Sequence, residues 1–82
     1  MDDTIIRSKL RQFICAELIR DPAYDLTNEE GIITGGLIDS FSLAQIGVFV
    51  EQEFNIYIPD PELTVAKMNT LDQIVARVLR DK

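Results

Sequence analysis

Asp39-Ser40-Phe41-Ser42-Leu43-Ala44-Gln45-Ile46-Gly47-Val48-Phe49-Val50-Glu51-Gln52-Glu53-Phe54 reads as a helix over residues 40–54. Asp39 is placed to cap it, because its carboxylate can accept from the free amides of the first turn. Leu43, Ile46, Val50 and Phe54 recur at helical spacing and make one apolar stripe, with Gly47 beside it. Phe41, Ala44, Val48 and Phe49 fall largely off that stripe, so the helix is apolar over more of its circumference than one core requires. Gly47 costs about 1 kcal/mol relative to alanine inside a helix, and close approach of another element would explain it.

Upstream, residues 20–38 form a long connection with turn chemistry at Asn28-Glu29-Glu30-Gly31 and Gly35-Gly36. Structureless loops of this length are uncommon in small domains. Tyr24, Leu26, Ile32, Ile33 and Leu37 predict that it is ordered and pinned across the helix ends, with at most one short turn of helix. Before it, residues 4–19 read as a first helix. Ile6, Leu10, Phe13, Ile14 and Leu18 make its stripe, Asp2, Asp3 or Thr4 can cap its start, and Asp21-Pro22 stops it.

Downstream, Ile56-Tyr57-Ile58 alternates like a strand but is too short to build a sheet, so it reads as an extended link. Asp60-Pro61-Glu62 starts a short helix over about 61–67, with aspartate as cap and proline at the first position. Thr70-Leu71-Asp72-Gln73 matches a capping box for a last helix over 71–80, with Leu71, Ile74, Val75 and Val78 on one face. Arg77, Arg80 and Lys82 lie toward its negative end. The expected fold is all-α: one domain over residues 1–82, an up-down four-helix bundle of three longer helices and one short helix. Its interior should take Ile6, Leu10, Phe13, Ile14, Leu37, Ile46, Val50, Phe54, Ile58, Leu71, Ile74, Val75 and Val78.

A chain of 82 residues buries only roughly 60% of its unfolded surface, which leaves little room for both a core and an enclosed active site. The net charge of −6 repels nucleic-acid backbones and anionic membrane surfaces and attracts basic protein surfaces, although acidity also simply keeps a chain soluble. No apolar run is long enough to span a bilayer. Met1-Asp2-Asp3-Thr4 lacks a signal-peptide pattern, so the cytoplasm is the expected location.

Histidine is absent, which removes Ser-His-Asp and Cys-His arrangements. Cys15, the single cysteine, sits in an apolar helical run and reads as an inert thiol. One thiol and no imidazole make no zinc site. Gly35-Gly36 lacks the spacing of a nucleotide fingerprint, and acid pairs such as Glu29-Glu30 read as solvated loop. No catalytic residue and no metal ligand set is expected, and the chain is not expected to be an enzyme.

What remains is Gly36-Leu37-Ile38-Asp39-Ser40-Phe41-Ser42, which places a hydroxyl in the first turn of a helix just after a capping acid. The free amides and positive dipole end there favour a phosphate. Ser40 has no base of its own, so another enzyme must attach whatever it carries.

This stretch resembles the attachment motif of the acyl carrier protein family, Asp-Ser followed usually by Leu, with Gly-Leu upstream. Val50-Glu51-Gln52-Glu53-Phe54-Asn55-Ile56-Tyr57-Ile58-Pro59 is similar to the family's acidic, aromatic end of helix two and its Ile-x-Ile-Pro exit. The resemblance covers nearly the whole chain in helix order and loop lengths. It implies an acyl-carrier-protein-like bundle whose Ser40 is esterified by 4′-phosphopantetheine from coenzyme A. A phosphopantetheinyl transferase would do this with magnesium, Asp39 would help organise that encounter, and the cargo would ride as a thioester. The implied partners are that transferase, an acyl- or aminoacyl-activating ligase and a downstream transferase, acting on a monomer.

Phe41 stands where leucine is commoner. Asp-Ser-Phe resembles a subset of the family, carriers of D-alanine and stand-alone carriers served by acyl-activating or glyceryl-loading enzymes, as does Met68-Asn69-Thr70-Leu71-Asp72-Gln73-Ile74. This implies a specialised pathway rather than primary fatty-acid synthesis. Partner docking would use Phe41, Gln45, Val48 and Glu51, more through apolar contact than charge. A buried apolar patch contributes about 25 cal/mol per Å², against roughly 0–1 kcal/mol for an exposed ion pair. The competing readings are that Phe41 packs inward as core, and that Asp39-Ser40 merely caps a helix in an unmodified adaptor that recruits a partner through helix two.

Overall fold

Every regular element among the described residues, 3–81 of this computed structural model, is helical. The first is α1 (Asp3–Phe13), which continues as a π-helical segment over Ile14–Ile19. The sequence predicts one α-helix through residue 19; the wider π turn is the difference. Ile14 and Cys15 are both buried there. The Cys15 carbonyl accepts from the N–H groups of Arg20 and Asp21, and Arg20 takes a left-handed conformation (φ 64°) that ends the helix. Asp21-Pro22 is the expected stop, with the Asp21 carboxylate accepting from the Ala23 N–H at 3.1 Å. The expected capping by Asp2 and the cationic contribution of Lys82 lie outside the described residues.

The connection that follows is ordered by named bonds, as its apolar content predicts. Leu26 and Ile32 are buried. The Ile32 N–H donates to the Asn69 carbonyl at 2.8 Å, and the Asp72 N–H donates to the Asn28 carbonyl at 3.0 Å. Asn28 Oδ1 accepts from Arg7 and Arg11, so α1 holds one side of the loop while the far end of the chain holds the other.

α2 (Ser42–Phe54) buries Leu43, Ile46, Gly47, Val50 and Phe54. Asn55, left-handed at φ 59°, ends it with its N–H on the Glu51 carbonyl, a geometry asparagine tolerates. Ile56 and Ile58 then turn inward and Tyr57 outward, the extended link expected. The single short helix expected over 61–67 is instead a 3₁₀ turn at Asp60–Glu62 and a separate α3 (Val65–Met68). Leu63 leaves helical geometry between them and lies on Gly47, where an added Cβ would stand 3.1 Å from Leu63 Cδ1. That approach accounts for the glycine. Gly47→Ala should change stability by less than about 1 kcal/mol, the gain in helix propensity offsetting a small shift of a flexible leucine tip. Gly47→Val, too wide for that shift, should cost about 1–3 kcal/mol by overpacking. Urea midpoints of the two variants check this; equal midpoints would remove the contact with Leu63 as the reason for glycine.

α4 (Leu71–Arg80) has the capping box read from the sequence: Gln73 N–H donates to Thr70 Oγ1 and Thr70 N–H donates to Gln73 Oε1, both at 3.1 Å. It packs most closely along α1, with Leu71, Ile74, Val75 and Val78 buried. The core departs from expectation in a few places. Phe13 and Leu37 are only half-buried, and Cys15, Leu26, Ile32, Leu43, Ile56 and Met68 join it.

Arg77 ties α4 to the 3₁₀ turn, its Nε 2.7 Å from Glu62 Oε1, with Arg80 on the same oxygen at 3.3 Å. Hydrogen bonding from Arg77, and then its charge and that of Arg80, lower the Glu62 pKa below its ordinary 4.5. A lowered folded-state value means the pair stabilises fully above the unfolded carboxylate's pKa. That contribution fades as pH falls through the lower, folded value. The stability difference between wild type and Glu62→Gln should therefore be largest near neutrality and close in acid. Urea titrations at several pH values check it, and a pH-independent difference would rule the ion pair out as its source.

Candidate functional site

Ser40 and Phe41 precede α2 in a tight turn, so the helix begins two residues later than the sequence predicts. Three successive i→i+3 bonds, from the N–H groups of Ser42, Leu43 and Ala44 to the carbonyls of Asp39, Ser40 and Phe41, wind it. Asp39 caps this turn as expected: its Oδ1 accepts from the Ser42 N–H at 3.2 Å, in addition to its carbonyl. The cap draws the first turn tight and leaves Ser40 on its outside. Ser40 is exposed, and its hydroxyl has no hydrogen-bond partner among the described residues.

The space beside Ser40 is lined by apolar side chains and polar groups in about equal measure. A cavity of about 730 Å³, open to solvent, is lined by Leu18, Ile33, Leu37, Ile38 and Val65 together with Asp39 and Ser40. Its wall is the end of the long connection, whose position depends on Asn69. Asn69 Oδ1 accepts from the N–H groups of Ile33 (3.0 Å) and Thr34 (3.1 Å), and Asn69 Nδ2 donates to Thr34 Oγ1 (3.0 Å). Sequence reasoning missed Asn69 as a site-forming residue. The one local signal is its place directly before the Thr70 cap, where its own N–H donates to Gln73 Oε1 at 2.8 Å.

The four residues expected to form a partner face are each exposed, Phe41 in the turn before α2 and the other three on α2. Phe41 is 85% exposed, which answers the alternative that it packs inward, and Val48 is 53% exposed. Gln45 and Glu51 are exposed as well. Phe49, by contrast, is half-buried and stacks on Phe13, ring centroids 4.2 Å apart. Glu53 pairs with Lys9 at 2.6 Å, which leaves Glu51 the acid on this side of the helix without an ion pair among the described residues.

Cys15 is buried with its Sγ 3.5 Å from the Tyr24 carbonyl, and burial pushes its pKa up, away from the thiolate a nucleophile needs. Among the described residues there is no group of three or more His, Cys, Asp or Glu able to hold a metal, and no helix long and apolar enough to cross a membrane. No protein-family model matches the chain, and no curated protein matches it.

Proposed function

We propose that this chain is a carrier domain of the acyl carrier protein type, on which Ser40 bears 4′-phosphopantetheine. The observation that carries the reading is the Ser40 hydroxyl: exposed, without a hydrogen-bond partner among the described residues, at the head of a capped turn and on the edge of a groove of mixed lining. The residues there fit the group. The start of α2 offers the positive end of its dipole to a phosphodiester, although the amides of Ser42, Leu43 and Ala44, which the sequence suggested would be free, are already bonded within the turn, and the groove offers apolar side chains to the rest of the arm. When bound, the arm supplies a thiol that holds an acyl or aminoacyl group as a thioester. Asp39 orients the turn through Oδ1 and is exposed, where it would help organise the encounter with a magnesium-dependent transferase.

Phe41 and Val48 add a mostly apolar contact surface next to the attachment point, suited to a dedicated ligase and a downstream transferase in a specialised pathway. The same surface also favours a second reading, an unmodified adaptor that docks a partner through α2. Incubation with coenzyme A, magnesium and a broad-specificity phosphopantetheinyl transferase separates the two. The carrier gains the mass of one phosphopantetheine, and Ser40→Ala gains nothing. No gain with any transferase overturns the carrier and favours the adaptor.

A further inference from the structure

Lys9 pairs with Glu53, and one turn further along α1 Phe13 stacks on Phe49, one turn back along α2. The two helices therefore run antiparallel. Beside these rungs, where the π-helical segment follows α1, lies an open cleft of about 540 Å³ with Phe13, Leu18 and Phe49 as apolar lining and Glu17, Gln45 and Gln52 as polar lining. Leu18 also lines the groove that contains Ser40. Leu18 is thus the one side chain that borders both spaces, the Ser40 groove and the cleft beside the Phe13–Phe49 pair.

From this adjacency we infer that the phosphopantetheine arm passes Leu18 and lies along the α1/α2 trough rather than extending into water, an inference that rests on the carrier reading. The chemistry matches along its length. Arg20, the one cation lining the cleft, makes no ion pair with any described residue. The arm's geminal methyls meet Leu18, and its two amides meet the Gln45 and Gln52 carboxamides and the Glu17 carboxylate. Ser42 to Phe49 is seven residues along α2, about 10 Å at ~1.5 Å per residue, with Ser40 in the turn just before, a span a flexible arm covers. Tethering makes weak contacts sufficient, because a short flexible tether gives an effective concentration in roughly the millimolar range.

Nuclear magnetic resonance on isotope-labelled apo protein, and on the same protein after transfer from coenzyme A, tests this. We expect Overhauser contacts from the geminal methyls to Leu18 and Phe49, and shifted side-chain amide signals at Gln45 and Gln52. Changes confined to residues 38–43, with the mass gain present, overturn the trough while leaving the carrier intact. Absence of the mass gain overturns both.

Discussion

Replacing Ile74 with alanine should lower the unfolding free energy by about 2–5 kcal/mol, the loss typical when a large aliphatic side chain is truncated in a core. Ile74 is 0% exposed and sits in mid-α4, the helix that packs along α1. The loss has two parts, the apolar area returned to water and the cavity that neighbours fail to fill. Alanine's better helix propensity returns only a few tenths of a kcal/mol. A chain of this length has a total stability of about 4–12 kcal/mol, so the variant forfeits a large fraction of it. Leu79, on the same helix but 37% exposed, provides the contrast: Leu79→Ala should cost less than about 1 kcal/mol. Urea midpoints measure both. Equal shifts for the two variants would mean that the α1–α4 contact is not where the stability lies.

α4 is the element the sequence describes most fully, and the reason is locality. Thr70 and Gln73 satisfy each other within one turn, and the apolar face repeats without interruption. Elements whose geometry is settled by distant residues were less legible. The π turn at Ile14–Ile19 depends on one carbonyl, that of Cys15, taking both the Arg20 and Asp21 amides, which no periodicity encodes. The break between the 3₁₀ turn and α3 follows from Leu63 seating on Gly47, a contact between elements. The candidate site divides the same way. Asp39 as cap and Ser40 on the outside of the first turn follow from neighbours in sequence. The direction of Phe41 does not, because an off-stripe phenylalanine at a helix start can turn either way until the neighbouring elements are in place. Leu18 bordering two grooves and Asn69 holding the loop are likewise products of the tertiary fold.

Asn69 makes the second large effect predictable, and it is the one that reaches the site. Asn69→Ala removes the acceptor shared by the Ile33 and Thr34 amides and the donor to Thr34 Oγ1. Each neutral hydrogen bond contributes roughly 0.5–1.5 kcal/mol net, and Thr34 is exposed enough for water to replace part of the loss, so the cost should be about 1–3 kcal/mol. The damage should be local. The backbone bond from Ile32 to the Asn69 carbonyl survives the substitution, as does the capping box, so α4 and the Ile32 anchor should hold. What loosens is the stretch from Ile33 to Ile38, the wall of the groove beside Ser40. Amide hydrogen exchange should therefore accelerate at Ile33 and Thr34 far more than at Ile74 or Val75. Asn69→Asp keeps the acceptor and loses only the Nδ2 donor, so its exchange pattern should stay nearer wild type. If Ile33 and Thr34 exchange at the same rate in Asn69→Ala as in wild type, the clasp does not hold this wall. The groove beside Ser40 must then be kept in shape by packing and by the Leu37 and Ile38 N–H bonds to the Ile32 carbonyl.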